Sequence, residues 1–322
     1  MQRVCLLAIL VTLRLPAQDA KKDPDQIGTR NVSRGINFFS MEREIAVGKQ
    51  LSQELERHST LVTDKAISEY VNRIGQKLVG HSDAKIPVTI KVIEGDEPNA
   101  ITLPGGFIYV QTGLIRTADT EAELAAALAH EIAHVAARHG TRQATQGQIT
   151  QLTTIPLIFL GGWGGLCAMG ASNAMMPLGF LAVQRGFEAE ADLLGLQYLY
   201  KAGYDPLGMV DIFEKIFSFD ERKNAKFLAR FSSTHPTSGD RLVNVQKNIE
   251  TLLKEQPQYV VTTSEFNDIQ ARLLALDWDR KPVPAGPPPP TLHKPGDQIA
   301  NAKKLVPEKD PRASQVKEAI YY

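Results

Sequence analysis

His130-Glu131-Ile132-Ala133-His134 has the residue types and the spacing of a hydrolytic metal site. On an α-helix, side chains four residues apart share a face, so two imidazoles can reach one divalent ion. Glu131 lies angularly close to both, where a carboxylate could hold and deprotonate a water on the metal. This is the H-E-x-x-H arrangement of zinc peptidases, although a chain of this composition meets it by chance roughly once in a hundred. Context must decide. A tetrahedral catalytic zinc takes three protein ligands and keeps one position open. His58 and His81 lie in polar segments and His293 in a proline-rich tail, which makes them poor third ligands. The metzincin extension would put glycine at 137 and histidine at 140, but the chain has Ala137 and Gly140.

Carboxylates are available downstream in Glu188-Ala189-Glu190-Ala191-Asp192. Glu188 and Asp192 are one helical turn apart, and Gly195 and Leu199 continue their face. Glu190 points about 200° away from Glu188 at 100° per residue, so the two cannot serve one ion. Glu188 is the expected third ligand, with Asp192 orienting a histidine or the ligand itself from behind. Gly195 would let the two helices come close. A solvated acidic face is the ordinary fate of such a run, but the upstream histidine motif reverses the odds.

The helix around the motif is easy to delimit. Thr120 and Glu123 form a capping-box pattern, Glu121 adds negative charge to the first turn, and Gly140 is the expected stop. Between them the chain is apolar nearly all round, as in a buried helix. Two histidines and a glutamate there would be costly without partners, and a divalent ion supplies one. Helices are further expected over 41–57, 63–79, 206–217 and 264–276, with another carrying Leu242, Val245, Ile249 and Leu252 behind a Thr237 or Ser238 cap. Residues 88–93 alternate like a strand that pairs near Phe107–Val110. The latter could be an edge strand to which an extended substrate adds, or plain core packing.

Four motifs in order carry a family resemblance. They are the histidine pentapeptide, Glu188 through Gly195, Asn99 through Gly113 with its Leu103-Pro104-Gly105-Gly106 turn, and Thr234-His235-Pro236 followed by Arg241. Over roughly residues 35–250 the chain resembles the gluzincin family of HtpX and the CAAX prenyl proteases. Within it the chain is most similar to the soluble, BepA-like periplasmic branch. The resemblance implies an α+β, mostly helical metallopeptidase domain with a small β-sheet beside the motif helix. It implies one Zn2+ per chain held by His130, His134 and Glu188, with Glu131 as base. It also implies that His235 and Arg241 face the active site. Read from the residues alone, Arg241 sits in the first turn of its helix, where a cation is tolerable if it faces an oxyanion or a carboxylate. Asn99, Phe107 and Tyr109 are the expected substrate contacts.

The remainder sets compartment and partners. Residues 1–17 hold Arg3, an apolar run and Leu15-Pro16-Ala17, which reads as a secretory signal. A linker over 18–37, a peptidase domain over 38–255, a short helical extension over 256–280 and a proline-rich tail over 281–322 follow. The expected location is periplasmic. The equal counts of basic and acidic residues, 36 each, argue against a nucleic-acid partner. No charged residue occurs from Gln143 through Gln184. That stretch is rich in glycine, which favours broken helices that roof the site or touch a membrane surface through 152–184 over a spanning helix. Expected substrates are unfolded or misassembled envelope proteins. A latent protease acting mainly in outer-membrane protein assembly, and a membrane-embedded processing enzyme, are the competing readings. There is no room after residue 255 for the helical-repeat domain of the BepA-like branch, a departure that bears on its partners.

Overall fold

Nine α-helices and three strands occur in the computed structural model among the residues it describes, 21–150, 178–222 and 239–277. After a 3-10 turn at Pro24–Gln26 come α1 (Met41–His58), α2 (Lys65–Gly80), β1 (Thr89–Ile93), β2 (Ala100–Leu103) and β3 (Phe107–Gln111). Then follow α3 (Thr112–Thr117), α4 (Glu121–Ala136), α5 (His139–Thr150), α6 (Leu178–Lys201), α7 (Leu207–Arg222), α8 (Gly239–Leu252) and α9 (Ser264–Asp277). The fold is α+β and mostly helical, with one small sheet beside the helix that carries His130 and His134. The expected signal segment, most of the uncharged stretch and the proline-rich tail lie outside the described residues. Among those described, no helix is long and apolar enough to cross a membrane.

Helix α4 is the axis of the structure. Leu124, Ala125, Ala126, Leu128, Ala129, Ile132 and Ala133 are fully buried beneath α2, α6, α7 and the sheet. Its start is fixed by Thr120, whose side chain accepts the N–H of Glu123. The box is not reciprocal, because Glu123 accepts the N–H of Asp119 instead, at 2.9 Å. One residue from the cap, the buried carboxylate of Glu121 accepts hydroxyl hydrogen bonds from Tyr70, Tyr204 and Thr263. Three separate parts of the chain are thereby fastened to the end of α4, where its dipole favours an anion.

The helix stops earlier than Gly140. It ends at Ala136, and the reversing residue is Arg138, at φ 57°. A side-chain-bearing residue in this left-handed region costs on the order of 1 kcal/mol. Arg138 is held there by Nε donating to Glu44 Oε2 at 2.6 Å and Nη2 donating to the Phe39 carbonyl at 2.8 Å. Gly140 falls inside α5, where its bare Cα faces the Pro104 ring.

The sheet has the order β1-β3-β2, with β1 parallel and β2 antiparallel to β3. Residues 107–110 are therefore the middle strand, and of the two readings of this segment core packing holds and an edge position does not. Gly105 and Gly106, at φ 79° and 90°, fold β2 back along β3, so the hairpin itself provides the edge. Alternation then divides the side chains. Ala100, Thr102, Ile108 and Val110 share the α4 side, whereas Ile101, Leu103, Phe107 and Tyr109 share the α1 side. Tyr109 confirms the division by donating its hydroxyl to Glu56 of α1 at 2.5 Å.

Residues 21–40 are tied down rather than loosely linked. Arg30 is buried and donates from Nε to Asp83 Oδ2 at 2.8 Å and from Nη1 to Gln197 Oε1 at 2.7 Å. Lys21 forms an ion pair with Glu190, so this segment is anchored at both ends of the same stretch of α6. At the other end of the chain, α9 buries Phe266, Ile269 and Leu273, and packs against α2 and α3.

Helices α4 and α6 meet at Gly195, where an added Cβ would stand 3.0 Å from backbone atoms of Ala129 and His130. That backbone is fully enclosed and has nowhere to move. Gly195→Val is expected to lower stability by about 1–3 kcal/mol despite a better helix propensity. Urea unfolding checks this, and a midpoint equal to that of the unchanged protein would refute the close approach.

Candidate metal centre

Helix geometry brings His130 and His134 onto one face of α4, and the contact at Gly195 sets Glu188 of α6 opposite them. His134 Nε2 lies 3.1 Å from His130 Nε2. Glu188 Oε2 is 3.4 Å from His130 Nε2, and its Oε1 is 3.5 Å from His134 Nε2. Ligand atoms at zinc bond lengths in tetrahedral array stand about 3.3 Å apart. The two nitrogens and the carboxylate therefore have the spacing and the donor chemistry for one such ion. Glu190 is not in this group and faces elsewhere, as its angular position on α6 required.

Behind the three groups stands a buried ionic layer. Asp192 Oδ1 is 3.0 Å from His130 Nδ1. The same carboxylate takes two hydrogen bonds from Arg241 of α8, Nε to Oδ2 at 2.8 Å and Nη2 to Oδ1 at 2.7 Å. Arg241 Nη1 also lies 3.2 Å from Glu188 Oε2, and its guanidinium covers the Phe213 ring at 4.9 Å. Bidentate pairing is the strong geometry for arginine and carboxylate. Arg241 thus faces carboxylates, one of the two environments that would justify a cation in the first turn of α8. Burial alone would lower the His130 pKa, but Asp192 and Glu188 outweigh it and hold the imidazole up to about 9. Burial pushes the Asp192 carboxyl upward, and Arg241 and His130 hold it below its ordinary value instead.

A second set of groups surrounds His134. Its Nδ1 is 3.0 Å from His139 Nδ1, and His139 Nε2 is 3.1 Å from Glu190 Oε2. Arg142 Nη1 donates to the same Glu190 oxygen at 3.0 Å. Burial opposes ionisation of Glu190, yet His139, Lys21 and Arg142 draw its pKa down to about 2.

Glu131 is buried beside His130, and Thr102 of β2 donates its hydroxyl to Glu131 Oε2 at 2.5 Å. A cleft opens here between the edge of β2 and α7. Asn99, Ala100 and Arg241 line it together with His130 and Glu131, and Leu114, Phe213, Ile216 and Phe217 make its wall apolar. Of the expected substrate contacts, only Asn99 reaches this cleft. Phe107 and Tyr109 point to the opposite, α1 face of the sheet, as alternation along β3 dictates. His235 lies outside the described residues. Sequence reasoning missed Thr102, His139 and the use of Glu190. Thr102 was open to detection, since period-two alternation puts it on the same face as Ala100 once β2 is recognised as a strand.

Residues 65–249, more than half of the chain, match the sequence profile of Peptidase family M48. The chain is 27% identical to the beta-barrel assembly-enhancing protease of Escherichia coli (strain K12) over 285 residues, covering 85% of this chain and 56% of that protein. It is 28% identical to the putative beta-barrel assembly-enhancing protease of Vibrio cholerae over 294 residues, covering 86% and 59%. It is 32% identical to the mitochondrial metalloendopeptidase OMA1 of Schizosaccharomyces pombe over 182 residues, covering 55% and 52%. The chain spans little more than half the length of these relatives. With the histidine pair on α4, Glu188 across from it and a profile match over the same elements, the chain belongs to peptidase family M48, a family of metalloendopeptidases.

Proposed function

We propose that the chain is a zinc-dependent endopeptidase that cuts unfolded or misassembled envelope proteins. The observation that carries this reading is the convergence of His130, His134 and Glu188 at tetrahedral spacing, with the Glu131 carboxylate beside them. A zinc ion held by these three groups would supply the Lewis acidity that activates water and polarises a peptide carbonyl. Glu131 is the general base, and then the acid that returns a proton to the leaving amine. Thr102 fixes the bearing of that carboxylate through its hydrogen bond to Oε2. Asp192 orients His130, and Arg241 balances Asp192 and Glu188, acting through them instead of on the substrate. His235 remains the expected further group at the site.

The cleft argues for the substrate class. Strand β2 ends the sheet order among the described residues, so an extended chain would add there instead of at the central β3. The wall of Leu114, Phe213, Ile216 and Phe217 suits an apolar side chain. Folded proteins hide such side chains and extended backbone together, whereas unfolded ones expose both. The signal-like segment over 1–17 supports a periplasmic location, and similarity to the beta-barrel assembly-enhancing proteases of two bacteria supports a part in beta-barrel assembly. The same similarity favours a second reading, in which the cleft mainly holds clients during assembly.

Glu131→Gln separates the two. Casein cleavage by the zinc-loaded variant is expected to fall by about two to four orders of magnitude, while one zinc per chain is retained. Cleavage by the variant at the original rate, or none by the zinc-loaded unchanged protein, would defeat the protease reading. Loss of cleavage with undiminished client binding and cellular rescue would favour assembly.

Metal binding should also depend on pH with a defined sign. With the metal removed, His130 keeps a proton up to about pH 9, and a ligand imidazole must be bare. Binding therefore expels one proton, and zinc affinity is expected to rise roughly tenfold per pH unit until about pH 9, then level. The metal-free protein runs the other way. The stability it draws from His130 is full below the ordinary value of 6.5 and is lost as pH passes about 9. Chelator competition across this range checks the first statement, and a flat profile would refute it.

A further inference from the structure

We infer that His139 and Glu190 form a relay that fixes the tautomer and the bearing of His134, as positioning residues of the metal centre proposed above. The carboxylate end sets the direction. Glu190 is paired with Lys21 and Arg142, both cations, and as an anion it can only accept. The nitrogen of His139 that faces it, Nε2 at 3.1 Å, must then carry the hydrogen. The buried ring shares that one Glu190 oxygen with the Arg142 guanidinium, which leaves no carboxylate charge to hold a second cation, so His139 has a single N–H and its Nδ1 is the acceptor in the 3.0 Å contact with His134 Nδ1. His134 donates from Nδ1, and its lone pair lies on Nε2, the atom that faces His130 and Glu188. The tautomers are assigned from the hydrogen-bond network. Reversing any link would put a hydrogen on His134 Nε2 and bar it from a metal.

Plain packing does not account for this arrangement. The His139 ring is buried and stacks on Phe187 with centroids 4.6 Å apart and planes 23° from parallel. Stacking needs only a flat ring, and an apolar side chain would fill the space. The two nitrogen contacts, one at each end of the ring, are what packing leaves unexplained. Nor would a regular helix deliver them. Five residues on from His134, His139 would point about 140° away on a continuous helix. The left-handed turn at Arg138 breaks α4 and swings the ring back over His134.

The acidic run on α6 thereby acquires a full division of labour. Glu188 faces the ion position, Asp192 serves His130, and Glu190 serves His134 through His139. Side chains that cannot share one ion instead support the two histidines that can.

The test is zinc affinity of the full chain, measured by competition with a chromogenic chelator, with Co(II) absorption as a second readout of ligand geometry. Partners of ligand histidines are worth about 10–100-fold in affinity. His139→Leu is expected to weaken zinc binding by that factor and to alter the Co(II) spectrum. His139→Asn, whose amide oxygen can stand where Nδ1 stands, should recover most of the loss. Glu190→Gln keeps an acceptor without its charge and should show a smaller loss. His139→Leu binding as tightly as the unchanged protein, or His139→Asn binding as weakly as His139→Leu, would overturn the relay. Should His139→Leu not fold, Glu190→Gln decides, and unchanged affinity with an unchanged spectrum overturns it. Absence of stoichiometric zinc on the unchanged protein would instead overturn the metal centre itself.

Discussion

Ionisable groups sit on a helix that is buried all the way round, and the structure is organised around making that bearable. His130 and Glu131 are enclosed on α4, and Glu188, Asp192 and Arg241 are enclosed against them. A buried charge without a partner costs several kcal/mol, and removing one member of a buried pair strands the other. Each group here is accordingly matched. Asp192 takes two bonds from Arg241, Glu188 lies between that guanidinium and the imidazoles, and Thr102 caps Glu131. Small residues make the matching geometrically possible. The alanines of α4 and Gly195 of α6 bring two backbones close enough for short acidic side chains to reach imidazoles.

The sheet contributes in a different manner. Three short strands could not stand alone, yet β2 ends the sheet order beside α4, brings Thr102 to Glu131 and sets Ala100 in the wall of the cleft. The other face of the same sheet is occupied by α1, where Tyr109 and Lys91 both reach Glu56. One face holds the Glu131 carboxylate through Thr102, while the other anchors the sheet to α1. The two cannot be exchanged, because a shift of one residue in register would turn Thr102 away from Glu131.

Much of this was readable from local pattern. The pentapeptide, the spacing of Glu188 and Asp192, the cap at Thr120 and the β1–β3 pairing all follow from period and residue type within a few positions. What was not readable depends on distant partners. Residues 107–110 look like any amphipathic strand, and only the return of β2 makes them central. Glycine is the usual left-handed residue, which points to a stop of α4 at Gly140, but Arg138 takes that conformation with help from Glu44, which lies 94 positions earlier. The role of His139 was hidden for the same reason, since its angle on an unbroken helix points away from the site. Arg241 was legible as an arginine in need of an anion, though not which anion.

The anchoring of residues 21–40 has a consequence for the order in which the molecule can assemble. Lys21 and Arg30 meet Glu190 and Gln197 across sequence separations of 169 and 167 residues. A chain emerging from its N-terminus holds these first residues without their partners until α6 has been made. Contacts of such long range form late, because loop closure must precede them. Glu188 belongs to the same stretch of α6, so the third group of the candidate centre arrives with the partners of the N-terminal segment. A nascent fragment that ends before α6 therefore holds His130 and His134 without the carboxylate that stands opposite them, and the candidate centre and the anchoring of the N-terminal segment wait on the same helix.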